Sequence, residues 1–420
     1  MVISKISKYK ITGFEWILAG LTIYMLGGIF EESIKVVSRI LVVLGLLIVF
    51  VNAYLIMSQK SPFNGVVQSV FVFYLLWSLF IVLRPFIDQN TLVMNVYTPM
   101  NVFGWLSFTM PLVVFLGFKQ LSLRSVFKFT YLYGIIGIVL LIINYREIFT
   151  VERVFADEEY QQYIGVAGIP ATFLSISSYM ILFYAFIPTK YKGIGFITIS
   201  LYLFTALFVA RRSEVFTILI ILFFTFYLFV FSTKRGSKFL KLFFVLAVIG
   251  VGAIIFYIYS GTTFSFFLNR MSEDTRTGVE TLFFKSFKGR PLDWIIGRGI
   301  GGTYYCPIAD SNYRGTIETG YLYIILKGGL VSLALFVYFL LYSAYLGFFR
   351  SKNMLTKAMA SYLIIHVVLL VPFGLPAFSI EYILVWICVM YCQSETWRMK
   401  SDTFINGYLY KNERIEITRD

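Results

Sequence analysis

Apolar runs of roughly 17 to 25 residues, the length that crosses about 30 Å of hydrocarbon, recur from one end of this chain to the other. With 59% hydrophobic and 19% aromatic residues against 14% charged ones, 420 residues cannot close into a water-soluble ball without a very large apolar surface. The sequence therefore predicts an all-α, polytopic integral membrane protein with about twelve transmembrane helices. The runs fall at 12–30, 36–57, 64–83, 99–118, 126–144, 167–187, 193–210, 215–232, 239–259, 319–346, 357–372 and 375–392. The tenth is over-long, and Gly328-Gly329 divide it into a short surface helix followed by the true span.

Lysine and arginine are retained on the cytoplasmic side of short loops, which orients the chain. With the amino terminus inside, the inner connections collect most of the basic residues, among them Lys60, Lys119, Arg124, Lys190, Lys234, Arg350 and Arg398. The acids sort oppositely, only Glu395, Asp402, Glu413, Glu416 and Asp420 falling inside. Both termini are thus expected in the cytoplasm. The net charge of +14 is a topology signal and implies no nucleic-acid partner, because the charges are spread over many short loops. The first run follows three lysines but exceeds the 7 to 15 apolar residues of a signal peptide, so it reads as a span. Cys306 is expected outside, while Cys388 and Cys392 read as small apolar residues of the last span.

Four regions follow: a membrane domain at 1–259 holding spans one to nine, a large extracytoplasmic loop at 260–316 between spans nine and ten, a membrane domain at 317–392 and a cytoplasmic tail at 393–420. A loop of that length is functional or disordered, and its composition argues for order. Within it, Thr277 to Lys288 place Val279, Leu282, Phe283 and Phe287 on one helical face, a pattern for a helix lying on the outer membrane surface. Phe284 departs from that stripe. Gly297, Gly299 and Gly302 then spell GxGxxG without the preceding strand that a dinucleotide site needs, so they read as a tight loop packed on the membrane domain.

Arg211, Arg212 and Glu214 interrupt two apolar runs at the expected outer boundary. Guanidinium groups at a hydrocarbon edge cost a few kcal/mol each unless they snorkel or meet an anion. Snorkelling to headgroups with Glu214 as partner is one reading. The other is a phosphate clamp, since guanidinium offers planar, bidentate, permanently charged donors. Arg270, Arg276, Arg290, Arg298 and Arg314 of the long loop face the same side, each of them equally readable as a solvated surface charge.

The run NRMSEDTRTGVETLFFKSFKGRPLDWIIGRGIGG, followed by DSNYRGTIETGYLYIILKGGLVSLALF, resembles the large periplasmic loop and following span of the O-antigen polymerase and O-antigen ligase superfamily. The resemblance covers about 210 to 345, with ARRSE similar to the family's second arginine site. Ligase-type members carry a His-Asn pair where this chain has Glu318-Thr319 ahead of Tyr321-Leu322, which weakens the ligase reading. The sole histidine, His366, lies in the eleventh run and reads as a hydrogen-bonded packing residue.

The resemblance implies a glycosyltransferase of the bacterial inner membrane that polymerises polyprenyl-pyrophosphate-linked oligosaccharide repeat units, with no cofactor and no metal. Chain-length regulator and flippase proteins are its implied partners, beside membrane lipids. Such chemistry needs a group to stabilise the leaving pyrophosphate and another to take a proton from the attacking hydroxyl. Arg211, Arg212 and Arg276 are the expected pyrophosphate ligands, Glu318 or Asp310 the expected general base or acceptor-positioning group, and Tyr313 and Tyr321 expected sugar-stacking residues. Two rivals come from other classes. A flippase or transporter would show related halves and midplane binding groups; the sequence shows no repeat, and charges buried mid-span are few, Lys327 the main one. A metal-dependent glycosyltransferase would use the acids Glu31-Glu32, a poor metal signature on their own.

Overall fold

The computed structural model describes residues 12–29, 34–57, 63–87, 96–99, 101–149, 157–209, 211–232, 276–307, 312–374 and 376–410. The expected ninth span at 239–259 lies outside these residues, as do Glu31, Glu32, Arg270 and Asp310.

An apolar segment taken out of water must satisfy its own backbone, and this chain does so as helix. In chain order the helices are α1 (Gly13–Ile29), α2 (Lys35–Ile56), α3 (Gly65–Ile87), a 3-10 helix at Trp105–Leu116 and α4 (Leu123–Ile143). Single turns at Gly117–Gln120 and Tyr145–Phe149 flank α4. Then come α5 (Asp157–Ser178), continued by 3-10 turns at Tyr179–Phe186, α6 (Thr189–Phe208) and α7 (Arg212–Ser232). The loop region supplies α8 (Thr277–Phe287), α9 (Pro291–Ile296) and a hairpin of β1 (Tyr304–Tyr305) with β2 (Tyr313–Arg314), antiparallel with Tyr304 opposite Arg314. The chain closes with α10 (Gly320–Phe349), α11 (Met354–Leu369), α12 (Ile380–Gln393), α13 (Glu395–Met399) and α14 (Asp402–Tyr410).

Among the described residues, six stretches are long and apolar enough to cross a membrane: Lys35–Ile56, Gly65–Ile87, Leu123–Ile143, Gly168–Phe186, Arg212–Phe229 and Gly320–Phe349. Trp105–Leu116, Tyr191–Leu207, Met354–Leu369 and Ile380–Gln393 are shorter apolar helices. The outward faces of α2 and α3 are apolar and open, Ile40, Leu47 and Val66 among them, as lipid-facing surfaces are. Length, composition and these faces define a membrane-embedded helical protein.

Local chemistry sets the helix starts. Ser122, Asn353 and Ser379 cap α4, α11 and α12 by accepting from the backbone N–H groups of Ser125, Thr356 and Tyr382. Between α1 and α2 the contact is backbone to backbone, since a Cβ on Gly45 would come within 2.6 Å of the Gly20 carbonyl oxygen. The interior is centred on α12, where Trp386, Val389 and Tyr391 are fully buried, and Phe71, Tyr74, Phe336 and Phe339 pack around Trp386.

Helix α10 breaks where its glycines fall: Gly329 has φ 70° and ψ −174°. The turns before the break are not a surface helix, because Leu322, Tyr323, Ile325, Leu326 and Lys327 are buried beneath the loop region. The carboxyl-terminal segment is folded through residue 410. Asn353 Nδ2 donates to the carbonyls of Trp397 and Arg398, and Asp402 accepts from the Met354 N–H, so α13 and α14 are tied to the start of α11.

Candidate functional site

A cavity of about 460 Å³ lies where several helices meet at one end. Its wall takes the last turns of α1 (Tyr24, Gly28), the middle of α5 (Thr172, Ser175), the first turns of α7 (Ser213, Glu214), the end of α11 (His366, Leu369), residues of the connection after it (Pro372, Phe373, Pro376, Phe378) and the start of α12 (Ser379, Glu381). Chain direction alternates among these elements, so all of these ends share one side. The far ends of α11 and α12, and of the neighbouring α6 and α10, carry the basic residues Lys357, Arg398, Lys192 and Arg350.

Arg211 lines this cavity and Arg212 does not. Arg211 sits immediately before α7 and its carbonyl accepts from the Glu214 and Val215 N–H groups, which starts the helix and sets the guanidinium direction. Its Nη1 donates to Glu214 Oε1 at 2.7 Å. Gly168 of α5 leaves room for the same guanidinium, since a Cβ there would stand 3.2 Å from Nη2. Glu214 places one carboxylate oxygen on Arg211, and the other, Oε2, is buried without a hydrogen-bond partner.

Arg276 precedes α8 and reaches the rim. Its Nη1 donates to the Pro372 carbonyl, part of the cavity wall, and its Nε lies 3.3 Å from Glu318 Oε2. Arg314 Nη2 approaches the other Glu318 oxygen at 3.9 Å. Glu318, half exposed, therefore bridges two arginines just before α10, where Thr319 donates to the Glu280 carboxylate. Tyr321 is partly buried and its N–H donates to the Leu370 carbonyl at 3.2 Å, which ties the start of α10 to the cavity's far connection. Tyr313 stands apart in the hairpin, exposed, with its ring edge-on to Tyr305 at 5.9 Å. Of the expected site residues, the structure thus brings Arg211, Arg276, Glu318 and Tyr321 toward one region.

The loop region packs on the membrane domain through α8. Phe283 and Phe287 are fully buried and Val279 and Leu282 partly so, against Tyr304, Leu322 and Leu326. The predicted apolar stripe exists, but its counterpart is protein. Phe284, which departs from the stripe, is open to the outside together with Leu292 and Ile295. Tyr304 donates to the Thr316 carbonyl at 3.3 Å, and burial pushes its hydroxyl up to about 12, so it stays a donor.

The GxGxxG run is a backbone clasp. The kink at Gly329 frees carbonyls of α10, and Arg298 N–H donates to Leu326 O at 2.8 Å while Gly299 N–H donates to Lys327 O at 2.9 Å. Gly297, at φ 69°, lies so close that a Cβ would meet the Gly328 and Gly329 nitrogens at 2.6 Å. Lys327 Nζ donates to the carbonyls of Ile300 and Gly302 at 2.8 and 2.9 Å, so this buried mid-span charge holds the clasp.

Two cavity residues escaped sequence reasoning. His366 was expected to be a hydrogen-bonded packing residue, yet its Nε2 has no hydrogen-bond partner and stands 3.9 Å from Glu381 Oε1. Glu381 went unnoticed in the first turn of the last apolar run. The available signal was the rarity of ionisable residues inside apolar spans, which makes each a candidate site residue. Their 15-residue separation hid the pairing, which the turn between α11 and α12 creates.

The fold and this site define a helical membrane protein with a largely apolar cavity at one end of its helices, into whose wall Arg211, Glu214, His366 and Glu381 are set. No family model, no curated protein and no solved structure matches the chain.

Proposed function

We propose that the protein joins oligosaccharide repeat units carried on polyprenyl pyrophosphate into a surface polysaccharide, such as O-antigen, capsule or exopolysaccharide, at the outer face of a bacterial inner membrane. The observation that carries this reading is Arg211 in the wall of a largely apolar cavity among the helix ends. A fixed guanidinium in that setting suits a diphosphate whose lipid tail remains in the surrounding hydrocarbon. The basic residues at the opposite helix ends support the placement of the cavity on the outer side.

In the transfer, an acceptor sugar hydroxyl attacks the anomeric carbon of the donor glycan and the bond to the diphosphate breaks with its electron pair. Arg211, and Arg276 at the rim, stabilise the negative charge of the leaving group. Arg212, next to Arg211 but outside the wall, adds positive potential at the same boundary. Glu318 bridges Arg276 and Arg314 and orients them toward the entrance. Tyr321 stands near enough to this entrance to flank an incoming glycan.

Cells carrying Arg211→Ala as their only copy are expected to insert the protein normally and to display single repeat units instead of long chains. Normal chain length in that variant overturns the reading. Polymer length scored against translocation in vesicles separates it from transport.

A further inference from the structure

Arginines account for the departing diphosphate, but none of them takes up the proton of the attacking hydroxyl. The cavity wall holds two carboxylates, and they are placed differently. Glu214 lies 2.7 Å from Arg211, so its charge is matched. Glu381 has no arginine or lysine at ion-pair distance among the described residues, and its neighbour is His366 at 3.9 Å.

The His366 ring is clamped. Tyr179 stacks on it at 5.6 Å and Tyr362 meets it edge-on at 4.4 Å, while the Tyr362 hydroxyl donates to the Glu381 backbone carbonyl at 2.9 Å. The clamp fixes the imidazole relative to the carboxylate and joins α11 to α12. His366 Nε2 nevertheless remains without a hydrogen bond, and a buried orphan of this kind needs a reason. Glu381 keeps 30% of its side-chain surface accessible although it sits inside the bundle, and it lines the cavity. The open part of the side chain therefore borders the space where a substrate would lie.

We infer that Glu381 is the proton acceptor for the attacking sugar hydroxyl and that His366 is its positioning residue. The inference rests on the polymerase reading. The hydroxyl oxygen forms its bond to the anomeric carbon, the bond from that carbon to the diphosphate oxygen breaks, and the electron pair leaves with the diphosphate at Arg211. The hydroxyl proton passes to the Glu381 carboxylate and is released to water when the products depart. The other titratable groups facing Glu381 are Tyr362 of α11, Tyr179 of the 3-10 segment and Tyr202 of α6, the last also within reach of Arg211 and Glu214.

The test uses the full-length protein reconstituted in lipid nanodiscs, with undecaprenyl pyrophosphate as binding probe. Lipid-linked repeat units extracted from the producing cell's own membranes serve as substrate. Glu381→Gln is expected to bind the probe as the wild type does, to polymerise about 100-fold more slowly or worse, and to lose the acidic limb of the pH–rate profile. His366→Gln is expected to show a smaller fall with that limb displaced, and Glu381→Asp to recover part of the rate. A folded Glu381→Gln with wild-type rate and limb, or one that loses probe binding along with rate, overturns the inference and leaves the polymerase reading standing. If Glu381→Gln does not fold, an unmoved limb in both His366→Gln and Glu381→Asp overturns it equally. A wild type that binds the probe yet makes no polymer takes down the polymerase reading, and this inference with it.

Discussion

Arg298, set among the glycines of the loop, and Arg211, between the apolar runs of α6 and α7, are both permanently charged residues beside apolar sequence. In the folded molecule Arg298 is enclosed: Nε donates to Asp293, Nη1 to the Ser286 hydroxyl and the Thr303 carbonyl, Nη2 to the Ser286 carbonyl, and the plane covers the Phe287 ring at 4.3 Å. Its donors are spent on protein, so it is a structural pin for α8, α9 and the clasp. Arg211 pairs with Glu214 at 2.7 Å and borders a cavity of about 460 Å³. The difference teaches that an arginine at a membrane edge is judged by what its guanidinium faces after folding.

Substitutions can break or sharpen that contrast. The largest effect belongs to Arg211→Ala, with polymerisation per folded molecule falling about 10² to 10³-fold, as for the loss of one charge-stabilising donor, and with some thermal stability lost because Glu214 is left without its cation. Arg298→Ala should affect stability alone. Removing charge-assisted hydrogen bonds from a mostly enclosed side chain costs about 2 to 3 kcal/mol of stability, read as a lower melting temperature, with turnover per folded molecule retained. An Arg298→Ala protein that melts normally but fails to polymerise would move Arg298 into the site.

Next is Arg276→Ala, at the rim and partly open, where about a tenfold loss in kcat/KM is expected because Arg276 shares its face with Arg211. The smallest effect is Arg290→Ala. Arg290 is largely exposed and lies 4.0 Å from Asp293, so its removal should shift stability by less than about 0.5 kcal/mol and leave turnover alone.

The helices were legible because apolar runs of bilayer length are a local signal. The break in α10 was legible too, from Gly328-Gly329. The partner that fills it was not, because Gly297 becomes adjacent to Gly329 only through the clasp. The same limit applies to the site. Arg211 announced itself by its cost in an apolar setting, whereas the His366 and Glu381 pairing depends on a turn that brings two helix ends together. The amphipathic stripe of α8 was visible, but whether it meets lipid or protein is decided by Leu322 and Leu326, some 40 residues away in sequence, a matter no local pattern carries.

The most direct test is a cryo-electron microscopy structure of the protein in nanodiscs with undecaprenyl pyrophosphate. The account predicts diphosphate density inside the cavity, within hydrogen-bond distance of the Arg211 guanidinium. Diphosphate density at another place on the protein, with Arg211 still closed on Glu214 and the cavity vacant, would contradict it.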